Sequence, residues 1–289
     1  MEPWRLATRT LSFDQPALMG VVNITPDSFS DGGKFISPAA AYQQAEKLIK
    51  EGADILDLGA ESTRPGAKPV TVEVQLERLL PVLKEVKKLG VPVSIDTTQA
   101  EVAEVCLSEG AEIINDVSGL RDSAGEVARV AARHKAGLIL MHRRGDAETM
   151  QKLAIYEDMV TEVYDELHQS VERAQECGVA RYSLVIDPGF GFSKDVEQNL
   201  FLLKEVGAFK KINLPVLLGV SRKQFIGKVT GRDIAAERDF GTVACIAHAY
   251  RQGMRFFRVH NVKAARDVLK MLQAIESAQF APNAKLGCF

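Results

Sequence analysis

Eight short apolar runs, rich in branched residues, recur along the chain: ALMGVV, ADILDLG, VPVSI, AEIIN, AGLILM, YSLVI, LPVLLG and RFFRV. Most lack the strict alternation of a strand with one wet face, so they read as strands buried on both faces, as in a parallel sheet. Between them lie segments with apolar positions at helical spacing, such as PAAAYQQAEKLIKEG, VEVQLERLLPVLKEVKKLG and IYEDMVTEVYDELHQSVERAQECG. Several of these segments close on glycine (Gly52, Gly90, Gly110, Gly178, Gly253), the residue that best tolerates the left-handed turn behind a helix. Strand and helix alternate with no linker or break in composition. The pattern predicts an α/β fold, a (β/α)8 TIM barrel in a single domain. Residues 1–16 are expected to pack on the barrel as an N-terminal segment, residues 17–280 to form it, and residues 281–289 to trail as a C-terminal tail. A doubly wound sheet is the rival, but the first run leads into NITPDSFSDGG, which contains no GxGxxG.

Polar residues stand directly behind the runs: Asn23, Glu61 to Arg64, Asp96, Asn115, His142, Asp187, Ser221 to Lys223, and Arg258 with His260. Taken singly, each also fits a helix cap or a turn, Asp96 before TTQAEV and Asp187 before PGFGF included. In a parallel barrel, however, every strand ends on the same face, so the separate signals converge on one cluster. Two chemistries separate within it. Arg64, Arg258 and His260, with the Ser221 hydroxyl and glycine-rich loops, suit a phosphate or diphosphate. Asp96, Asn115 and Asp187 end apolar runs, where they need partners, and they suit the N–H edge of a flat heterocycle with an amidine-like group. Lys223 either donates to a ring carbonyl or nitrogen or acts as a Schiff-base nucleophile; the first role requires no special pKa. GVSRKQFIGK does not satisfy P-loop spacing, so NTP hydrolysis has no support. His134, His168 and His248 lie in helical patterns and read as packing or surface residues, while His142 is left without a role. Asp57 and Glu61 flank the second strand as structural partners for arginines.

The 289 residues carry a formal charge of −2, with Lys and Arg dispersed, which gives no field for nucleic acid or an anionic membrane. MEPWRLATRT has no apolar signal core, and no run reaches membrane-spanning length, so a cytoplasmic protein is expected. Cys106, Cys177, Cys245 and Cys288 stand apart without metal-ligand spacing and read as reduced thiols.

Seven stretches in order, MGVVNITPDSFSDGG, LGAESTRPGA, SIDTTQAEVAEVCLSEGAEIINDVSG, LMHRRG, IDPGFGFSKDVEQN, LLGVSRKQFIG and FFRVHNV, resemble dihydropteroate synthases, the pterin-binding enzymes of folate biosynthesis. The resemblance covers nearly the whole chain. It implies condensation of 6-hydroxymethyl-7,8-dihydropterin diphosphate with p-aminobenzoate to give 7,8-dihydropteroate and diphosphate. It also implies a catalytic set of Asp31, Arg64, Asp96, Asp187 and Lys223. The pterin would lie on Asp96, Asn115, Asp187 and Lys223 with Met141 in the apolar wall, and the diphosphate on Arg64, Arg258 and His260. By the same resemblance Asn23 would contact Mg2+, and Thr63, Pro65, Phe192, Ser221 and Lys223 would form the p-aminobenzoate pocket that sulfonamide inhibitors occupy. A homodimer is implied as well.

Two departures are visible: RVHNV, with Asn261, where many members read RVHDV, and the more basic LMHRRG. Strong candidates for stabilising a leaving group and no obligatory base point to a largely dissociative reaction. The loops behind the first two strands, with Gly32-Gly33 and Pro65-Gly66, are expected to close over it. Two rival readings are a pterin-binding methyltransferase, which would not need Arg64 and RVH, and a silent paralogue, which would have lost a catalytic residue.

Overall fold

The eight apolar runs become eight parallel strands in the computed structural model, which describes residues 3–25, 37–62 and 69–279. A small antiparallel hairpin, β1 (Trp4–Arg5) and β2 (Thr10–Leu11), precedes them. The barrel strands are β3 (Ala17–Asn23), β4 (Ile55–Gly59), β5 (Val93–Asp96), β6 (Ile113–Asp116), β7 (Gly137–Met141), β8 (Leu184–Asp187), β9 (Leu217–Leu218) and β10 (Phe256–Val259). Their order is β8-β7-β6-β5-β4-β3-β10-β9, so chain order is spatial order except where the ring meets itself. An isolated parallel bridge, Ile186 to Val216, spans the remaining seam, with the Ile186 N–H donating to the Pro215 carbonyl at 3.0 Å.

Helices follow the strands: α1 (Pro38–Lys50), α2 (Val72–Val86), α3 (Ala100–Ser108), α4 (Glu126–His134), α5 (Met159–Glu176), α6 (Val196–Lys204), α7 (Gln224–Thr230), α8 (Asp239–Arg251) and α9 (Val262–Ser277). Two of them, α7 and α8, separate β9 from β10. His134, His168 and His248 fall on α4, α5 and α8, away from the strand ends.

The strands lack alternation in sequence because both of their faces are buried. One set of side chains, including Leu18, Val22, Leu56, Leu58, Leu138 and Leu140, points outward into the layer packed by the helices. The alternate set, Met19, Ile55, Ile113, Ile139, Val185, Leu217 and Phe256, points inward and forms a separate apolar cluster.

The hairpin supplies that inner cluster with Trp4, Leu6 and Phe13. Trp4 is fully buried; its indole N–H donates to the Ser183 carbonyl at 2.8 Å, and its ring centre lies 5.8 Å from that of Phe256. Gly137, the first residue of β7, permits this approach, because a Cβ there would fall 2.6 Å from the Trp4 ring. The N-terminal mouth of the barrel is thereby sealed with hydrocarbon, and the polar residues gather at the opposite mouth.

Candidate active site

The polar mouth is built from the final inward position of successive strands. Register places Asn23 of β3 beside Gly59 of β4, Gly59 beside Asp96 of β5, and Asp96 beside Asn115 of β6; Met141 of β7 pairs with Asp187 of β8. Between them opens a cleft whose polar lining is Asp96, Asn115, Asp187, Lys223 and Arg258. Met141, Val117, Phe190, Phe192 and Gly219 supply its apolar walls and floor. Flat apolar surfaces ringed by a few convergent polar groups suit a planar heterocycle.

The carboxylates are costly there and are held by specific partners. Arg258 donates from Nε to Asp57 Oδ2 at 2.6 Å and from a terminal nitrogen to Asp96 Oδ2 at 2.9 Å, while the Asn115 amide donates to Asp57 Oδ2 at 3.3 Å. Burial nevertheless pushes the Asp96 carboxyl up to about 7 against the pull of Arg258. Burial likewise raises Asp187 to about 6, opposed by the Gly189 N–H, which donates to Asp187 Oδ1 at 2.8 Å, and by Lys223. Both groups are therefore poised to gain from N–H donors that arrive with a ligand.

The loop behind β8 completes the wall. Gly189 has φ +72°, and a Cβ there would overlap the His142 carbonyl at 1.9 Å, so the PGFGF turn cannot close with another residue in that place. At its far end the Phe192 ring receives the Lys223 ammonium 3.9 Å from its centre, a cation–π contact. Behind β9, the Ser221 Oγ and His260 Nδ1 lie 2.9 Å apart, and the His260 backbone N–H donates to the same hydroxyl at 3.1 Å.

The profile of the pterin binding enzyme family matches residues 19–260, which contain every one of these groups. A dihydropteroate synthase of Synechocystis is 43% identical over 259 residues, covering 89% of this chain and 89% of the relative. The chain belongs to the dihydropteroate synthases, a pterin-binding enzyme family. Among solved structures, the dihydropteroate synthase of Xanthomonas albilineans with 4-aminobenzoic acid aligns with TM-score 0.89 at 39% identity, covering 96% of this chain and 99% of that one. The same enzyme in complex with 7,8-dihydropteroate aligns at 0.85 and 36% identity, covering 96% and 100%. The Yersinia pestis dihydropteroate synthase with a sulfonamide drug complex aligns at 0.90 and 35% identity, over 96% and 100%. As a member of this family the chain is a transferase.

Against this family frame, the structure brings Asp96, Asn115, Met141, Asp187, Phe192, Lys223 and Arg258 to one cleft, with Ser221 and His260 joined to each other. Arg258, expected among the diphosphate ligands, sits with its guanidinium on Asp57 and Asp96, within the pterin group of residues. Asp31, Thr63, Arg64 and Pro65, with the two glycine-bearing loops, lie outside the described residues. Asn261 caps α9 by accepting from the Ala264 N–H and donates to Asp239, which in turn holds Arg222 at 2.7 and 2.9 Å. An amide at this position serves the acidic neighbour better than a second carboxylate would. The basic pair of LMHRRG is engaged with acids: Arg143 with Asp122, and Arg144 with Glu162 and Glu166.

Sequence reasoning missed the contributions of Val117, Phe190 and Gly219 to the cleft, and it missed Lys194. That lysine is buried directly behind the PGFGF turn and lies 2.9 Å from His142. A lysine following two phenylalanines in FGFSK was the available signal, since a charged side chain there has to find partners inside the protein.

Proposed function

We propose that this chain condenses 6-hydroxymethyl-7,8-dihydropterin diphosphate with p-aminobenzoate, giving 7,8-dihydropteroate and diphosphate. The observation that carries the reading is the convergence of Asp96, Asn115, Asp187, Lys223 and Arg258 on one cleft with apolar walls. Three acceptor-bearing side chains match the N–H edge of a pterin, and Lys223 donates to its ring carbonyl or nitrogen. The relatives solved with 4-aminobenzoic acid and with 7,8-dihydropteroate support the same pair of substrates.

In the reaction, the C–O bond to diphosphate breaks with its electron pair leaving on oxygen, and the arylamine lone pair forms the new C–N bond. The amine then loses a proton to solvent. We read the substitution as dissociative: the ionised Asp96 and Asp187 favour positive charge spread over the pterin, and no described side chain in the cleft is needed as a base for a neutral arylamine. Arg64, Arg258 and His260 would take the diphosphate. Phe192, with Lys223 across its face, would form the arylamine wall with Thr63, Pro65 and Ser221, the pocket in which sulfonamide inhibitors would compete.

Asn23 offers a single neutral oxygen beside the open Gly59 position, where an added Cβ would lie 3.6 Å from Asn23 Oδ1 and 3.7 Å from Asp96 Cβ. Among the described residues no cluster of three acidic, histidine or cysteine side chains is present. That donor set fits Mg2+ held largely by substrate phosphate oxygens, because this ion commonly takes only one or two protein ligands in such sites. When bound there, Mg2+ supplies charge neutralisation to the departing diphosphate.

A homodimer is proposed on the packed trio α6, α7 and α8, which leaves Phe201, Val229, Ile234 and Phe240 exposed, Phe240 by 89%. Sedimentation velocity of the Phe240→Glu variant should show monomer in place of dimer. No described helix is long and apolar enough to cross a membrane; a cytoplasmic location belongs to the proposal.

Diphosphate release tests the function. It should require the pterin diphosphate, p-aminobenzoate and magnesium together. Release without the amine would make the protein a hydrolase, and the absence of product from both substrates would sink the reading.

A further inference from the structure

Lys194 is buried and is used by none of the steps above. Its ammonium donates to three acceptors: His142 Nδ1 at 2.9 Å, the Gly189 carbonyl at 3.1 Å and the Phe192 carbonyl at 3.1 Å. With Nδ1 accepting, the His142 ring proton lies on Nε2, which donates to Glu166 Oε2 at 3.1 Å. Among the described residues no carboxylate hydrogen-bonds to the lysine. A buried ammonium held by neutral acceptors is expensive, and packing alone would be served better by an apolar side chain of similar volume.

Two of the three hydrogen bonds fix one short piece of chain. Gly189 and Phe192 bound the turn behind β8, closed by the Phe192 N–H donating to the Gly189 carbonyl at 3.1 Å. The Gly189 N–H holds the Asp187 carboxylate, and the Phe192 ring faces Lys223. The ammonium therefore holds the carbonyls at both ends of the turn that carries the Phe192 ring to the arylamine side of the cleft.

Resting on the proposed reaction, we propose that Lys194 is a positioning residue for the arylamine: held by His142 and Glu166, it fixes the PGFGF turn so that the Phe192 ring and Lys223 present a preformed wall to the amine. The charged groups facing it are Asp187 from β8, Glu166 from α5, Arg144 from the loop behind β7, and Lys223 from the loop behind β9. Burial lowers the Lys194 ammonium to about 7, with Asp187 and Glu166 opposing that fall. Burial and the Lys194 charge keep His142 neutral, down at about 3. Below the lysine's pKa all three acceptors receive a proton donor. Above it, an amine with two N–H groups leaves one acceptor unserved, so the wall loosens with alkalinity.

Steady-state kinetics of Lys194→Met test this directly. The KM for p-aminobenzoate and the Ki of a sulfonamide should rise about tenfold, while the KM for the pterin diphosphate changes less than about threefold. Equal rises in both substrate KM values, or no rise in either, would overturn the proposal. If Lys194→Met does not fold, Glu166→Gln decides the matter through pH. Removing the carboxylate that raises the lysine's pKa should move the alkaline increase in p-aminobenzoate KM to lower pH than in the wild type; coincident profiles would reject the role. A wild-type protein that makes no product fails the proposed function, whereas an active wild type with unaltered arylamine kinetics in Lys194→Met fails this inference alone.

Discussion

The two mouths of the barrel are made by the same strands with the same two-residue period, yet they have opposite chemistry. At the N-terminal mouth the inward positions are Met19, Ile55, Ile113, Ile139, Val185, Leu217 and Phe256, roofed by Trp4, Leu6 and Phe13. Two to four residues further along the strands the inward positions become Asn23, Gly59, Asp96, Asn115, Met141, Asp187 and Arg258. One end is a plug that lowers the free energy of the fold. The other holds carboxylates whose raised pKa values show that the fold disfavours their charge. The difference teaches that stability and reactivity are separated here along the strand axis, and substitutions at the two ends should separate them in measurement.

The largest effect is expected at the plug. Trp4→Ala removes a fully buried indole and its hydrogen bond to Ser183, and should lower the free energy of unfolding by about 3–5 kcal/mol. The KM values of the protein that remains folded should not change, since the plug lies across the barrel from the cleft. Urea unfolding paired with kinetics on the same sample checks both halves. A change in KM comparable to the change in stability would break the separation of the two ends.

Asp96→Asn should do the reverse. On the proposed reaction it removes a charge that would serve the pterin, and it should reduce kcat/KM by about 2–4 kcal/mol of transition-state stabilisation. The sign of its effect on stability follows from linkage. The folded pKa of Asp96 lies above its ordinary value, so the native state binds more protons than the unfolded chain between the two values. Stability from this group therefore falls as pH rises from about 4 to about 7, and a neutral amide avoids the loss. A Tm higher by roughly 2–4 °C is expected at pH 8 in scanning calorimetry. A lower Tm together with lost activity would mean that the carboxylate stabilises the fold through Arg258.

The acid limb of the pH profile should be smaller but informative. Asp96 at about 7 and Asp187 at about 6 line the same cleft and would face the N–H edge of the pterin. Because the ionised forms accept the ligand's N–H groups, kcat/KM for the pterin diphosphate should fall on acidification through that range, by up to about tenfold for each pH unit. In Asp96→Asn the limb should move to lower pH, because Asp187, the lower of the two, is left to titrate. An acid limb that stays in place would assign it to another group.

The strand runs and their polar terminators were legible because both depend on local sequence. An apolar run ending in Asp96, Asn115 or Asp187 carries its own signal, and the barrel then gathers the ends. What was not legible depends on pairs far apart in the chain. The ion pairs of Arg258 with Asp57, 201 positions away, and with Asp96 could not be read from the chain around it. His142 had no role until Lys194 was found against it and Glu166 beyond it. The N-terminal segment was expected to pack on the barrel, but where it packs was not legible: only the fold sets the Trp4 ring against Phe256 and Gly137.

The smallest predicted effect lies on the boundary between the two ends. Ser94 of β5 and Asp57 of β4 are register partners on the inward face, one layer below Asp96, and both are fully buried. Among the described residues the Ser94 hydroxyl and Asp57 Oδ1 have no hydrogen-bond partner, while Asp57 Oδ2 serves Arg258 and Asn115. If the functional layer stops at the Asp57–Arg258 contact, the Ser94 hydroxyl belongs to the plug and only costs desolvation there. Ser94→Ala should then raise the midpoint of urea unfolding at constant slope, by up to about 1 kcal/mol, with the pterin KM unchanged. If the hydroxyl instead steadies Asp57, the variant lets Arg258 shift, and the pterin KM rises with no gain in stability. That outcome would place the floor of the active site one inward layer, two residues, deeper in β4 and β5, and Asp57 would join the groups that position the substrate.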